Sequence, residues 1–277
     1  MPAFITILRP LNLLQAALAV FLTTAILGEL NQVKTLSLLI LSVIFINGAG
    51  NIINDIYDLE IDKINRPNRP LPAGQMKVSF ARVYMFNLFA LGIFCASLIS
   101  MITFYIAAFI AMPLLIAYSY KLKRLPLIGN IVVSFMLGLA FIYVGSAFGQ
   151  IETTLVMAAL AFGFTLIREL VKDLEDMEGD KQSGARTLPL VWGEQATVKF
   201  VMVLMLISIE FFLFPALFGS YNYLYYWIVL IGIDIPMLFA MILLYKYPEH
   251  KNYSRIQLFL KLNIFVGLAA IYLGRPM

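Results

Sequence analysis

Nine stretches of this chain, 11–28, 36–54, 79–98, 101–119, 128–149, 153–171, 195–219, 223–246 and 256–273, are each long and apolar enough to cross a bilayer, a crossing that takes about 20 mostly apolar residues. Lipid offers no hydrogen-bond partner, so backbone placed in it must bond to itself, and runs of this length do so as helices. With 61% hydrophobic and 13% charged residues in 277 positions, little remains outside the runs. No polar tail or low-complexity tract is long enough to fold separately. The reading is an all-α, polytopic membrane protein of nine transmembrane helices, in one domain over 1–277. Only Ser100 and its neighbours part the third run from the fourth, and a chain reversal is expected there.

The first run begins after Arg9-Pro10 and carries no small-residue cleavage pattern, so it reads as a retained span rather than a signal peptide. Cys95 is the one cysteine. It excludes an intramolecular disulfide and reads as a small buried apolar residue.

The charges lie on one side. With nine spans and an internal N-terminus, that side collects Arg9, the lysines and arginines of 63–82, those of 121–124, those of 168–199 and those of 246–255, while only Lys34, Lys261 and Arg275 fall elsewhere. Such asymmetry places the N-terminus and the charged loops in the cytoplasm of a cell-membrane protein.

Two of these loops repeat each other. NDIYDLEIDK at 54–63 aligns without a gap on KDLEDMEGDK at 172–181, superposing Asp55, Asp58, Glu60, Asp62 and Lys63 on Asp173, Asp176, Glu178, Asp180 and Lys181. Arg69-Pro-Leu-Pro72 follows the first and Arg186-Thr-Leu-Pro189 the second. One loop follows the second run and the other the sixth, which implies two related four-helix units plus a ninth helix, with a functional site where the repeats meet.

Asp55, Asp58 and Asp62 stand at i, i+3 and i+7, as do Asp173, Asp176 and Asp180. If each preceding helix continues through them, three carboxylates share a face and repel one another unless a cation intervenes. Carboxylates are hard ligands suited to Mg²⁺, which one or two of them hold together with substrate phosphates. Two such faces turned toward one another make a diphosphate clamp. A single acid run at a helix end is ordinarily a solvated cap; the repetition is what speaks for a site. An ion pathway requires acids within the spans, and Asp234 and Glu210 have no evident basic partner there, so both read as individually tolerated polar positions. Among the bases, Lys63, Arg66, Arg69, Lys121, Lys172, Lys181 and Arg186 are placed to meet phosphate oxygens. Lys77, Lys123 and Arg124 read instead as topology determinants at the lipid headgroups.

Together, Asn54-Asp55-x-x-Asp58-x-x-x-Asp62, the Asn-Arg-Pro-x-Arg-Pro-Leu-Pro-x-Gly of 65–74, Tyr118-Ser119 with Lys121, and Lys172-Asp173-x-x-Asp176-x-x-x-Asp180 with Thr187-Leu188-Pro189 resemble the UbiA superfamily of intramembrane prenyltransferases. Arg9-Pro10-x-Asn12, KDLEDMEGD and the compact length resemble its archaeal lipid-forming branch. The resemblance implies a helical barrel around a central cavity that opens laterally to lipid. It implies that Asp55, Asp58, Asp62, Asp173, Asp176 and Asp180, with Asn54, hold Mg²⁺ and through it a prenyl diphosphate. Asn51 and Asn54 would support this, and Lys121, Arg66 and Arg69 would contact the diphosphate, Lys121 taking part in catalysis. Tyr118, Lys172, Lys181, Arg186, Arg9 and Asn12 would complete the substrate contacts, with Arg9, Lys181 and Arg186 candidates for a phosphate on the acceptor.

In that branch the donor is geranylgeranyl diphosphate and the acceptor geranylgeranylglyceryl phosphate, alkylated on its secondary hydroxyl. The proton acceptor stays open between an aspartate and the released diphosphate. Phe135, Met136, Phe141 and Tyr143 are candidate linings of a prenyl channel, with ordinary packing as the alternative. The partners implied are the donor, a membrane-soluble acceptor and the bilayer, with no nucleic acid and no obligatory protein. A 4-hydroxybenzoate-like aromatic acceptor, a quinone precursor or haem would use the same acids. His250, the one histidine, reads as a surface residue and speaks weakly against haem. A transporter is the rival of another class, and it would put its acids at mid-membrane depth.

Overall fold

A computed structural model of the chain describes residues 2–217 and 221–274, and every regular element among them is helical. Residues 218–219 of the seventh expected span and Arg275 lie outside the described residues. The chain forms two compact units, one of Met1–Lys123 and Ala140–Thr154, the other of Arg124–Leu139 and Leu155–Met277. The elements begin with α1 Ala3–Thr6, α2 Pro10–Ile26, α3 Val33–Tyr57, α4 Leu59–Asn65, α5 Val78–Ser97 and α6 Met101–Tyr105, which runs through a π-helical turn, Ile106–Ala111, into α7 Met112–Tyr120. Then follow α8 Ile128–Ala147, α9 Ile151–Glu175, α10 Met177–Ser183, α11 Leu188–Trp192 and α12 Glu194–Leu217. Last come α13 Tyr223–Val229, a second π-helical turn Leu230–Asp234, α14 Ile235–Lys246 and α15 His250–Gly274.

Eight continuous helical stretches among the described residues are long and apolar enough to span a membrane, and α2 is a ninth, shorter apolar helix of 17 residues. All nine expected spans are present as helices, with ends displaced by a few residues. The protein is therefore a multi-pass, all-α membrane protein. The expected reversal is real: α5 stops at Ser97, and Ser100 caps α6, its hydroxyl accepting from the Thr103 amide at 3.1 Å while the Thr103 hydroxyl accepts from the Ser100 amide at 3.0 Å.

Both π turns have a local cause. Pro113 and Pro236 each stand two residues past the end of a π turn, and proline brings no amide hydrogen and crowds the preceding turn. The backbone ahead of it re-registers, which is how π turns arise within α-helices.

Within the first unit, α3 and α5 pack at Gly92. A Cβ there would lie 2.6 Å from Ile46 Cγ1 and 3.2 Å from the Ser42 carbonyl. Ser42 donates its hydroxyl to the Gly92 carbonyl at 2.9 Å, so its contact with Tyr143 at 2.6 Å has the tyrosine as donor. Tyr143 and Phe141 are buried, and the Ser42 bond gives Tyr143 a packing role; Phe135 is exposed. Replacing Gly92 with valine should cost about 1–3 kcal/mol, the usual penalty of overpacking. A lower thermal midpoint for the purified G92V protein than for G92A would show it.

Candidate active site

Each aspartate motif lies where a long helix breaks. The 25-residue α3 ends at Tyr57 and the 25-residue α9 at Glu175. The next residue in each case is the middle aspartate of its motif, with φ −95° and ψ 4° at Asp58 and φ −89° and ψ 3° at Asp176. A seven-residue helix follows each. Hydrogen bonding carries across the breaks, Asp62 N to Asp58 O at 2.7 Å and Asp180 N to Asp176 O at 2.9 Å. The expectation of one helix continuing through each motif is thus corrected. Asp58 and Asp176 occupy the sparsely populated bridge region, and their carboxylates stand at corners rather than on a straight helical face.

In the first unit the corner gathers bases. Arg69 Nη1 donates to Asp55 Oδ1 at 3.1 Å and to Asp62 Oδ2 at 2.5 Å, and Arg9 pairs with the same Asp55 oxygen. Asp55 and Asp62 are buried. Arg9 is held in place by its neighbours: Asn51 donates to the Leu8 carbonyl at 2.8 Å, and Arg9 itself adopts left-handed backbone, φ 55°, at the start of α2. Non-glycine residues rarely take that conformation, and where they do the surroundings enforce it. Asp58 looks another way. Lys123 Nζ donates to Asp58 Oδ1 at 2.6 Å and to Asn54 Oδ1 at 2.7 Å.

In the second unit the supports are different. Asn130, buried in the first turn of α8, donates to Asp173 Oδ2 at 3.0 Å. The motif is anchored to α15 through Ser254, which donates to Glu175 at 2.5 Å, while the neighbouring Tyr253 donates to Glu194 at the start of α12 at 2.6 Å. Burial lifts the Asp180 carboxyl above the ordinary carboxylate range, the Asp176 charge adds to this, and Lys172 opposes it. Desolvation and a like charge both disfavour an anion.

Of the expected site residues, Asp55, Asp62, Arg9 and Arg69 meet in one network of the first unit, Asp58 and Asn54 meet on Lys123, and Asn51 bonds the Leu8 carbonyl beside Arg9. Arg66, Lys121 and Asn12 are exposed, and Tyr118 is half-buried. In the second unit Lys172, Lys181 and Arg186 are exposed. Lys123 corrects its reading as a headgroup lysine, because its side chain is only 13% accessible and pairs with the motif. Asn130 escaped notice as well, for it sits 43 residues from Asp173 in sequence with no motif around it.

The donors fit Mg²⁺. Asp55 and Asp62 both reach a single Arg69 nitrogen, so one small cation at that position has two carboxylates within reach. Among the described residues no three acidic, histidine or cysteine side chains form a metal cage; Mg²⁺ shared with a substrate phosphate needs only one or two carboxylates.

The UbiA prenyltransferase family model matches residues 12–264. The chain belongs to this family. As a UbiA-family member it is a membrane prenyltransferase. It is 42% identical to the digeranylgeranylglyceryl phosphate synthase of Thermococcus sibiricus, over 98% of this chain and 96% of that one. It is 33% identical to the synthase of the same name from Methanothermobacter thermautotrophicus, over 98% and 96%. A solved structure of a digeranylgeranylglyceryl phosphate synthase superposes with a TM-score of 0.89 at 30% identity, covering 98% of this chain and 97% of that one. A UbiA homologue from Archaeoglobus fulgidus, bound to DMAPP and Mg²⁺, shares the fold at a TM-score of 0.70 and 20% identity, covering 97% and 99%.

Arg69 carries the compensation of this UbiA-family corner. Arg69→Ala leaves buried Asp62 without its ion-pair partner and Asp55 with Arg9 alone, and should cost about 3 kcal/mol, whereas Arg66→Ala, at an exposed position, should stay within about 0.5 kcal/mol. Thermal unfolding of the two purified variants without Mg²⁺ compares them directly.

Proposed function

We propose that the protein transfers a geranylgeranyl group from geranylgeranyl diphosphate to the secondary hydroxyl of geranylgeranylglyceryl phosphate, in a Mg²⁺-dependent reaction at the cytoplasmic ends of its helices. The observation that carries the proposal is 42% identity, over nearly all of both chains, to a relative named for that product. The two aspartate motifs, with the first already surrounded by Arg9, Arg69 and Lys123, supply chemistry suited to it.

The donor's bond between C1 and the diphosphate oxygen breaks, its electron pair leaving with the diphosphate. The acceptor oxygen bonds to C1 and gives up its proton. Mg²⁺, when bound, offsets the charge on the departing diphosphate and eases that cleavage. In the first unit Asp55 and Asp62 are the residues that would hold the metal and a phosphate, and in the second unit Asp173, Asp176 and Asp180. Arg9, Arg69 and Lys123 neutralise carboxylates before substrate arrives and turn to phosphate oxygens afterwards, a charge-assisted contact either way. The apolar spans keep water from an allylic cation. A hydroxyl is a weak nucleophile, so donor ionisation and positioning carry most of the barrier. Burial of the prenyl chains among the spans explains why the enzyme is embedded in the membrane, and the charge asymmetry orients the motifs to the cytoplasm. We treat the two units as one functional domain.

Incubation with geranylgeranyl diphosphate, Mg²⁺ and, in turn, geranylgeranylglyceryl phosphate, 4-hydroxybenzoate or haem, followed by mass analysis, tests the acceptor: the glyceryl phosphate alone should gain a geranylgeranyl group. Prenylation of an aromatic acceptor in its place would overturn the assignment. EDTA should silence the wild type, and Asp58→Ala or Asp176→Ala should lower turnover by at least about a hundredfold, the scale set by losing one group that stabilises developing charge. Full activity in either variant removes that motif from the reaction.

A further inference from the structure

Two helices of the first unit, α3 and α7, touch at Gly50, where a Cβ would lie 3.3 Å from Leu115 Cδ1. Alongside that contact runs a groove of about 390 Å³, lined by Tyr57, Pro113, Ile116, Ala117 and Tyr120. Its volume falls in the range of small-molecule sites, about 300–1,000 Å³. The four α7 residues stand at i, i+3, i+4 and i+7 and form one stripe of that helix, and Ala117 puts only a methyl group where a larger side chain would close the gap. Tyr57 and Tyr120 are the last residues of α3 and α7, and their ring centroids are 5.5 Å apart.

This groove is separate from the aspartate network. Tyr57 follows Asp55 by two residues, about 200° around α3, and so faces away from the buried Asp55. It faces lipid instead, since Tyr57 is 40% and Tyr120 63% exposed and both helices belong to membrane spans. Tyr120 ends its span, at the headgroup level that tyrosine favours, and Pro113 lies seven residues before it, about 10 Å deeper. The walls are apolar, and the polar groups belong to the headgroup end: two tyrosine hydroxyls, and Lys121, which follows Tyr120 and is exposed. Lys123 is engaged with Asp58 and Asn54, whereas Lys121 forms no ion pair among the described residues. A protein segment would find no partners for its backbone along such walls. A molecule apolar along its length and anionic at one end matches them.

We propose that this groove is a binding site for one anionic membrane lipid, its chain lying along the α7 stripe beside Tyr57 and its phosphate meeting Lys121. The lysine stem lies along apolar surface while its ammonium reaches the headgroup layer. Boundary lipids elsewhere on the spans exchange freely and are indifferent to headgroup charge. The lipid in the groove is retained and is selected for its charge.

Native mass spectrometry of the full-length protein, released from nanodiscs of equimolar phosphatidylglycerol and phosphatidylcholine, tests this. The wild type should retain phosphatidylglycerol over phosphatidylcholine by about fivefold, the scale of one lysine acting at a membrane surface. Lys121→Ala should still carry a lipid but lose the preference. Ala117→Trp fills the groove and should carry one lipid fewer; Ala117→Leu, a smaller change at the same place, should weaken retention and takes its place if the tryptophan variant does not fold. Equal retention of the two lipids by the wild type overturns the proposal, as does wild-type retention in a folded Ala117 variant or an undiminished preference in Lys121→Ala. Weakened binding of geranylgeranyl diphosphate by Lys121→Ala, read by equilibrium dialysis, assigns that lysine to the diphosphate, and displacement of the retained phosphatidylglycerol by geranylgeranyl diphosphate makes the groove part of the donor's path. Either result also overturns it.

Discussion

Carboxylates are tolerated at the boundary of an apolar helix only where something compensates their charge, and much of the local structure around the first motif follows from that requirement. Asp55 and Asp62 are buried at the end of a helix whose other residues belong in lipid. Removing ions from water is unfavourable, and only well-placed partners offset it. Arg69 reaches both acids from the segment that follows α4, and Arg9 reaches Asp55 from the start of α2. The left-handed backbone at Arg9 and the amide of Asn51 on the Leu8 carbonyl hold that second partner in position.

Duplication runs deeper than the acid loops. Both motifs sit after a 25-residue helix, break at the middle aspartate with nearly the same dihedrals and continue as seven residues of helix. The fourth and eighth spans each contain a π turn with a proline two residues beyond it. The π turns depend on a single proline each, so they persist where the apolar residues around them have diverged.

The duplicates have nonetheless specialised. The first motif is surrounded by cations, whereas Asp173 in the second takes its hydrogen bond from the neutral Asn130, and burial pushes Asp180 toward protonation. Carboxylates of one kind in unlike surroundings differ in how readily they hold a proton, since environment sets that balance.

By itself the sequence determined the fold class, the nine spans and the duplicated aspartates, because the free energy of placing an apolar run in lipid is local and additive, and because spacing within a loop is visible as it stands. It also marked the reversal at Ser100, since Ser100 and its neighbours interrupt an apolar run too long for one crossing. Only the tertiary structure decided which cation serves which acid: Arg9 lies 46 residues from Asp55, and Lys123 lies 65 from Asp58. Lys123 looked like a headgroup lysine because nothing near it in sequence reports that α7 ends beside α3. The corners at Asp58 and Asp176 were equally hidden, for a break of one residue leaves helical periodicity intact on both sides. Pairing energies depend on distances between segments, and those distances exist only once the helices have packed.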